Sequence, residues 1–206
     1  MTKEPHSEQA YMPCHQYQRD KVLDLCGGLH ETKVLNVASK EDPAHLGRDF
    51  AAVNLDIEDF DIETRTNLYT VPNFIQGTAT DLPFPDETFN IVVIGELLEH
   101  CLMSAAIKVL SEAKRVLRHE GSIVLTFPKD SRDKRVQRPP HELREYEDGI
   151  TSWHQVVWDT EQLKDLLHRA ALEVSDHTLI RYAVCDHAGV ECWGYGMVLV
   201  AKEITL

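Results

Sequence analysis

The chain has 206 residues, 43% of them hydrophobic, and a formal charge of -13. That length and apolar content predict one domain, able to bury about 70% of the surface its unfolded chain would expose. The acidic balance argues against nucleic acid as the default partner, no apolar run reaches the roughly 18 residues of a membrane span, and five scattered cysteines without a C-x-x-C pair suit a reducing, cytoplasmic compartment.

In chain order, residues 1–15 are expected to be a loose arm, and their polar, mixed-charge start resembles neither a signal nor a transit peptide. A short helix is predicted over 16–25, stopped by Gly27 and Gly28. KVLNVA (33–38) is a buried strand by its apolar run. Asp42 and Pro43 then mark a helix start, with Asp42 as N-cap and Gly47 as the end of that short helix. Strands are predicted over 50–57 and 73–77, and DLPFPDET (81–88) is a proline-punctuated loop. FNIVVIG (89–95) is apolar throughout and therefore central in a sheet.

Residues 103–118 form an amphipathic helix, with Ala106, Val109, Leu110, Ala113, Val116 and Leu117 at helical spacing. SIVLTF (122–127) is another strand. Residues 128–158 are irregular, 160–172 a capped helix, and two final strands joined without a helix are expected to be antiparallel. The charge is uneven, acidic over 41–63 and leaning basic over 129–144. Strand–helix alternation with short connections predicts the α/β class: a single Rossmann-like, doubly wound, mostly parallel sheet with an antiparallel strand near one end.

DLPFPDETFNIVVIGELLEH (81–100), followed by VLSEAKRVLRHEGSIVLTFP (109–128), resembles the central segment of class I S-adenosylmethionine-dependent methyltransferases of the small-molecule type. The resemblance covers 33–128 by sequence and the remainder by topology. It implies S-adenosylmethionine as cofactor, a small-molecule acceptor methylated at oxygen or nitrogen, no nucleic acid or membrane partner, and leaves a homodimer open. Asp56 would close the second strand where a carboxylate meets ribose hydroxyls, the alternative being a solvated strand-end residue. Asp81 and Leu82 would meet adenine, the first through its carboxylate and the second through its N–H; otherwise they form a turn. Gly95 and Glu96 would end the fourth strand beside the transferred methyl. His100, the histidine of Leu-Glu-His, would touch the substrate or start a helix.

The family's first motif, an acid followed by Gly-x-Gly-x-Gly, is altered. Asn36 stands for the acid, and Ala38, Lys40 and Asp42 for the glycines. Glycine serves there because it permits left-handed backbone and close ligand approach. Ala38 is a small loss if its φ is negative. Lys40 must turn its side chain away from a cationic sulfonium. Asn36 accepts from the methionine ammonium without charge assistance, Ser39 helps orient the methionine tail, Glu41 or Asp42 takes over the ammonium, and Asp42 as N-cap would occupy N–H groups otherwise open to the methionine carboxylate.

The segment after the fifth strand is expected to roof the acceptor. There the resemblance places His141, Arg144 and Tyr146, with Trp153, His154 and Trp158 following; His141 and His154 are candidate general bases, and the rest would line the acceptor pocket. The alternative is that His141 and Arg144 anchor the loop and the tryptophans pack. Arg132, Arg135 and Arg138 are read as a solvated loop face. Cys185, Asp186, His187 and Cys192 match no common zinc spacing, so a hairpin is expected and no metal. The rival reading is a catalytically silent methyltransferase-like protein acting through protein partners. A nicotinamide oxidoreductase would need G-x-G-x-x-G, which is missing.

Overall fold

The structure, a computed structural model, describes residues 13–26, 32–40, 42, 44–61, 66–128, 149–150, 156, 158–185 and 191–204. In chain order these form α1 (Pro13–Cys26), β1 (Val34–Val37), α2 (Leu46–Phe50), β2 (Val53–Asp56), β3 (Phe60–Asp61), β4 (Thr66–Asn67), β5 (Phe74–Gln76), β6 (Phe89–Gly95), α3 (Met103–Val116), β7 (Leu117–Pro128), α4 (Thr160–Arg169), β8 (Leu172–Cys185) and β9 (Glu191–Glu203). Seven strands make one sheet in the order β5-β2-β1-β6-β7-β9-β8, while β3 and β4 pair separately. Every pair from β5 to β7 is parallel, and β9 runs antiparallel to both of its neighbours. The doubly wound fold with an antiparallel end is as expected.

The continuous apolar runs are explained by burial on both faces of the sheet. Val34, Ile91, Val93 and Val124 pack with Val22 of α1 and Leu46 of α2, while Leu35, Val37, Val92, Ile94, Ile123 and Leu125 face the larger core. α3 delivers Ala106, Val109, Leu110, Ala113 and Val116 to that larger core, and α4 delivers Leu163, Leu166 and Leu167. α4 starts on a capping box: the Asp159 carboxylate accepts from the Gln162 N–H at 2.8 Å, and the Gln162 side chain accepts from the Asp159 N–H at 3.1 Å.

Three expectations are corrected. α2 begins at Leu46 with His45 at its cap position, so Asp42 is not its N-cap and Gly47 lies in its first turn rather than at its end. The cause is the Asp42 carboxylate, which reaches forward from the preceding turn to the Leu46 and Gly47 N–H groups, each at 2.8 Å. β7 starts at Leu117, directly after α3, because Leu117 pairs with Phe89 before the ladder shifts. Trp158, expected over the acceptor, is 1% exposed and packs in the larger core; its apolar ring is worth more buried than as a roof.

From β1 the chain winds outward to β2 and β5, then crosses to β6 on the other side of β1. The switch point therefore lies between β1 and β6, and in open sheets of this kind ligands bind beyond the carboxyl ends there. Among the described residues, no helix is long and apolar enough to cross a membrane.

Candidate functional site

The loop leaving β1 holds a left-handed backbone at each of the three positions where the family places glycine: φ is 56° at Ala38, 42° at Lys40 and 58° at Asp42. His45 adds a fourth at 55°. The expectation that Ala38 escapes with negative φ is overturned. The loop keeps the glycine conformation without the glycines, at about 1–2 kcal/mol for each L-residue so placed. The surrounding hydrogen bonds impose it: Ser39 N–H donates to the Leu55 carbonyl at 3.1 Å and Asp42 N–H to the Ser39 carbonyl at 2.8 Å.

Beneath the loop, buried polar side chains form a network. Asn36 and Asn54 are direct register partners on β1 and β2. The Asn36 amide nitrogen donates to Asn54 Oδ1 at 2.9 Å and to Asp42 Oδ1 at 3.4 Å, and Asn54 Nδ2 donates to the Pro72 carbonyl at 2.9 Å. The negative charge lost at position 36 thus reappears at position 42, on the far side of an amide donor. Burial pushes the Asp42 carboxyl up, against the N–H bonds from Gly47 and Leu46. Ser39 is buried, with its hydroxyl against the Lys40 carbonyl at 3.5 Å. Glu41 lies outside the described residues.

Asp56 ends β2 at 8% exposure. Its Oδ2 accepts the Lys40 N–H at 2.9 Å and its Oδ1 the Glu58 N–H at 3.1 Å, which leaves each oxygen a lone pair for a further donor. Burial raises its carboxyl above the ordinary value despite those bonds. Because position 40 meets Asp56 through its backbone, Lys40→Gly should keep this contact and relieve the strain at φ 42°. The variant is expected to be about 1 kcal/mol more stable in urea unfolding, with donor affinity unchanged or tighter. A large loss of affinity would show that the lysine side chain itself holds ligand.

Beyond β5 lie the residues expected to meet adenine. Asp81 is exposed, and the Leu82 N–H is taken by Glu112 Oε2 at 2.8 Å. The turn before it, closed by the Thr78–Asp81 bridge, carries the Ala79 N–H, which makes no hydrogen bond among the described residues. Thr78 Oγ1 and Thr80 Oγ1 are 2.9 Å apart. Among the described residues the Ala79 N–H is thus a free donor, three residues upstream of Leu82. Glu112 and Arg115, which bind residues 82–86, went unread in the sequence because an i, i+3 ion pair on a helix face ordinarily points to solvent.

After β6, Gly95 and Glu96 are half-buried; Glu96 has φ 50° and donates its N–H to the Thr126 carbonyl at 2.9 Å. A short 3-10 helix (Leu98–His100) follows, in which Glu99 is fully buried and His100 half-buried. Burial pushes the neighbouring Cys101 thiol up to about 12, so it is no nucleophile at neutral pH. This turn receives the later chain: Cys101 bridges Ile150, Leu102 N–H donates to the Gly149 carbonyl at 2.9 Å, and Val156 N–H to the Glu99 carbonyl at 3.3 Å. Candidates Arg132, Arg135, Arg138, His141, Arg144, Tyr146, Trp153 and His154 lie outside the described residues. Cys185 and Cys192 belong to the paired β8 and β9, with Asp186 and His187 between them undescribed.

The family model described as "Methyltransferase domain" matches residues 26–125. A demethylmenaquinone methyltransferase of Bacillus licheniformis is 36% identical over 104 residues, 50% of this chain and 42% of that protein. One from Lysinibacillus sphaericus is 34% identical over 105 residues, with the same coverage of each. The chain thus spans less than half the length of these curated relatives. Among solved structures, a SAM-dependent methyltransferase of Methanosarcina mazei superposes with a TM-score of 0.63 at 15% identity, covering 86% of this chain and 94% of that one. An S-adenosylmethionine-dependent methyltransferase of Clostridium acetobutylicum does so with a TM-score of 0.62 at 11%, covering 93% and 92%. At those identities the likeness speaks to fold.

Proposed function

We propose that this chain belongs to the class I S-adenosylmethionine-dependent methyltransferases, a reading supported by the family model matching residues 26–125, and that it transfers a methyl group from S-adenosylmethionine to a small-molecule acceptor. The observation that carries the reading is the β1 loop, whose backbone keeps the glycine conformation at positions 38, 40 and 42. Strained backbone of this kind clusters at ligand sites, which is why the loop supports the reading.

The residues present fit the adenosine half of the donor. Asp56 is positioned to accept from the ribose hydroxyls, and the Ala79 N–H to donate to the base edge with the Thr78 hydroxyl beside it. The methionine half meets a changed surface: Asn36 is spent on Asn54 and Asp42, and Asp42 already satisfies the first N–H groups of α2. When bound, S-adenosylmethionine supplies a carbon already activated for displacement. The protein's remaining task is alignment, which converts an encounter into a near-attack geometry. In this reading Gly95, Glu96 and His100 floor the acceptor site. The segment anchored through Gly149, Ile150 and Val156 covers it and excludes water, bringing Trp153, Arg144 and Tyr146 to the acceptor. His154 or His141 removes a proton if the nucleophilic oxygen or nitrogen carries one. Leu102 and Met103, exposed at the start of α3, give the rim an apolar character. The relatives are named for demethylmenaquinone, so a ring of that lipophilic type is the first acceptor to assay.

Calorimetric titration with S-adenosylmethionine and S-adenosylhomocysteine tests the reading. Micromolar binding is expected, whereas no binding at millimolar ligand would overturn it. The second reading, a silent scaffold, is favoured by one observation, the occupation of the α2 N–H groups by Asp42.

Asp56 adds a pH signature. Its carboxyl is raised by burial, so protonation begins above the ordinary value of about 4. Donor affinity should be level at pH 8 and fall as pH drops through that raised value. Asp56→Asn should bind weakly and without this pH dependence.

A further inference from the structure

Glu112 and Arg115 sit one helical turn apart on α3. An isolated pair of this kind on a helix surface contributes little by itself. Here both side chains leave the helix and grip another segment. Glu112 Oε2 accepts the Leu82 N–H at 2.8 Å, while Arg115 donates to the Leu82 carbonyl at 2.9 Å, the Phe84 carbonyl at 2.8 Å and the Asp86 carboxylate at 2.8 Å. The two are locked together by paired bonds of 2.8 and 2.7 Å. The Arg115 and Val116 carbonyls extend the grip, accepting from the Glu87 and Thr88 N–H groups at 3.0 and 2.8 Å. Phe84 is edged against Phe89 of β6, ring centroids 5.0 Å apart.

The consequence lies next door. The turn over Thr78–Asp81 is fixed at one end by the Gly77 N–H on the Asp56 carbonyl, at 2.8 Å. Its other end runs directly into the gripped residues. We propose that Glu112 and Arg115 are positioning residues for donor recognition: by holding residues 82–86 they set the height and direction of the Ala79 N–H against the adenine edge. This rests on the donor-binding reading above. Neither side chain touches the donor; both act through the backbone of the turn. A planar guanidinium suits the task because its fork reaches several acceptors in one plane, whereas an ammonium is a point charge.

Adenine N1 is a bare acceptor, but in hypoxanthine the same nitrogen carries hydrogen, which would oppose a fixed N–H donor. Discrimination between S-adenosylhomocysteine and S-inosylhomocysteine therefore reports how firmly Ala79 is held, and a merely stabilising ion pair would not alter it. Calorimetry on the full chain is expected to show wild type preferring the adenosyl ligand at least tenfold. Arg115→Lys and Glu112→Gln should weaken adenosyl binding about tenfold and compress the preference toward unity. Asp86→Ala, which removes only the outer, exposed arm of the grip, should shift both in the same direction by about two- to threefold, and serves if the other variants fail to fold. An unchanged preference in the folded variants would overturn the positioning role alone. Wild type binding both ligands equally would overturn the Ala79 contact and the role with it. Wild type binding neither would overturn the donor-binding reading itself.

Discussion

Asn36→Asp, the substitution that restores the family's acid, is expected to destabilise this chain by about 3 kcal/mol at neutral pH. In the family pattern position 42 is glycine, but here the acid would face Asp42. The Asn36 amide donates to Asn54 Oδ1 and toward Asp42 Oδ1, so a carboxylate in its place would set an acceptor against two acceptors, one of them charged and itself raised by burial. The introduced acid escapes by staying protonated, so its folded pKa lies above the unfolded value of about 3.9. The penalty is then small below that unfolded value and grows as pH rises through the folded one. Urea unfolding should accordingly show variant and wild type converging toward pH 4 and separating by pH 7.5. Adding Asp42→Gly should recover about 2 kcal/mol relative to Asn36→Asp alone, since it removes the opposing charge and places glycine at φ 58°. Two destabilisations that simply add would show the exchanges at 36 and 42 to be independent. The double variant also restores an acid at position 36, and should bind S-adenosylmethionine more tightly than wild type.

That coupling was half legible. Asn36 and Asn54 each stand out as polar residues inside apolar runs, but their pairing depends on the β1–β2 register, which no local pattern supplies. The strands themselves were readable because burial on both faces writes an unbroken apolar run, and β6 falls on its predicted bounds at Phe89–Gly95. The β1 loop was the opposite case. Ala38, Lys40 and Asp42 have side chains that argue for negative φ, and only the tertiary hydrogen bonds around them impose the left-handed form. Trp158 misled because it follows a stretch rich in polar residues, yet its ring is buried in the core. The engagement of the Leu82 N–H was hidden by sequence distance, because the grip of α3 on it joins residues 30 apart.

Gly47→Ala is the other large effect expected, about 3 kcal/mol of stability lost from overpacking and broken hydrogen bonds. In the sequence this glycine reads as a helix terminator, where alanine would cost only about 1–2 kcal/mol. In the structure it lies in the first turn of α2, where a Cβ would come within 2.4 Å of Asn54 Nδ2, 3.0 Å of Asp42 Oδ2 and 3.1 Å of the Pro72 carbonyl. A flexible side chain could swing clear, but Asn54 is fully buried and held by Asn36 on one side and Pro72 on the other. Asp42 cannot retreat without releasing the Leu46 and Gly47 N–H groups. The methyl group therefore strikes the network that carries the relocated charge and supports the loop, and donor affinity should fall along with stability. Asn54→Ala in the same background provides the check. It vacates the tightest contact, so part of the loss should return in the double variant despite the cost of Asn54→Ala alone. If Gly47→Ala unfolds at the wild-type urea midpoint, α2 has room that the geometry denies, and the packing account of this loop fails.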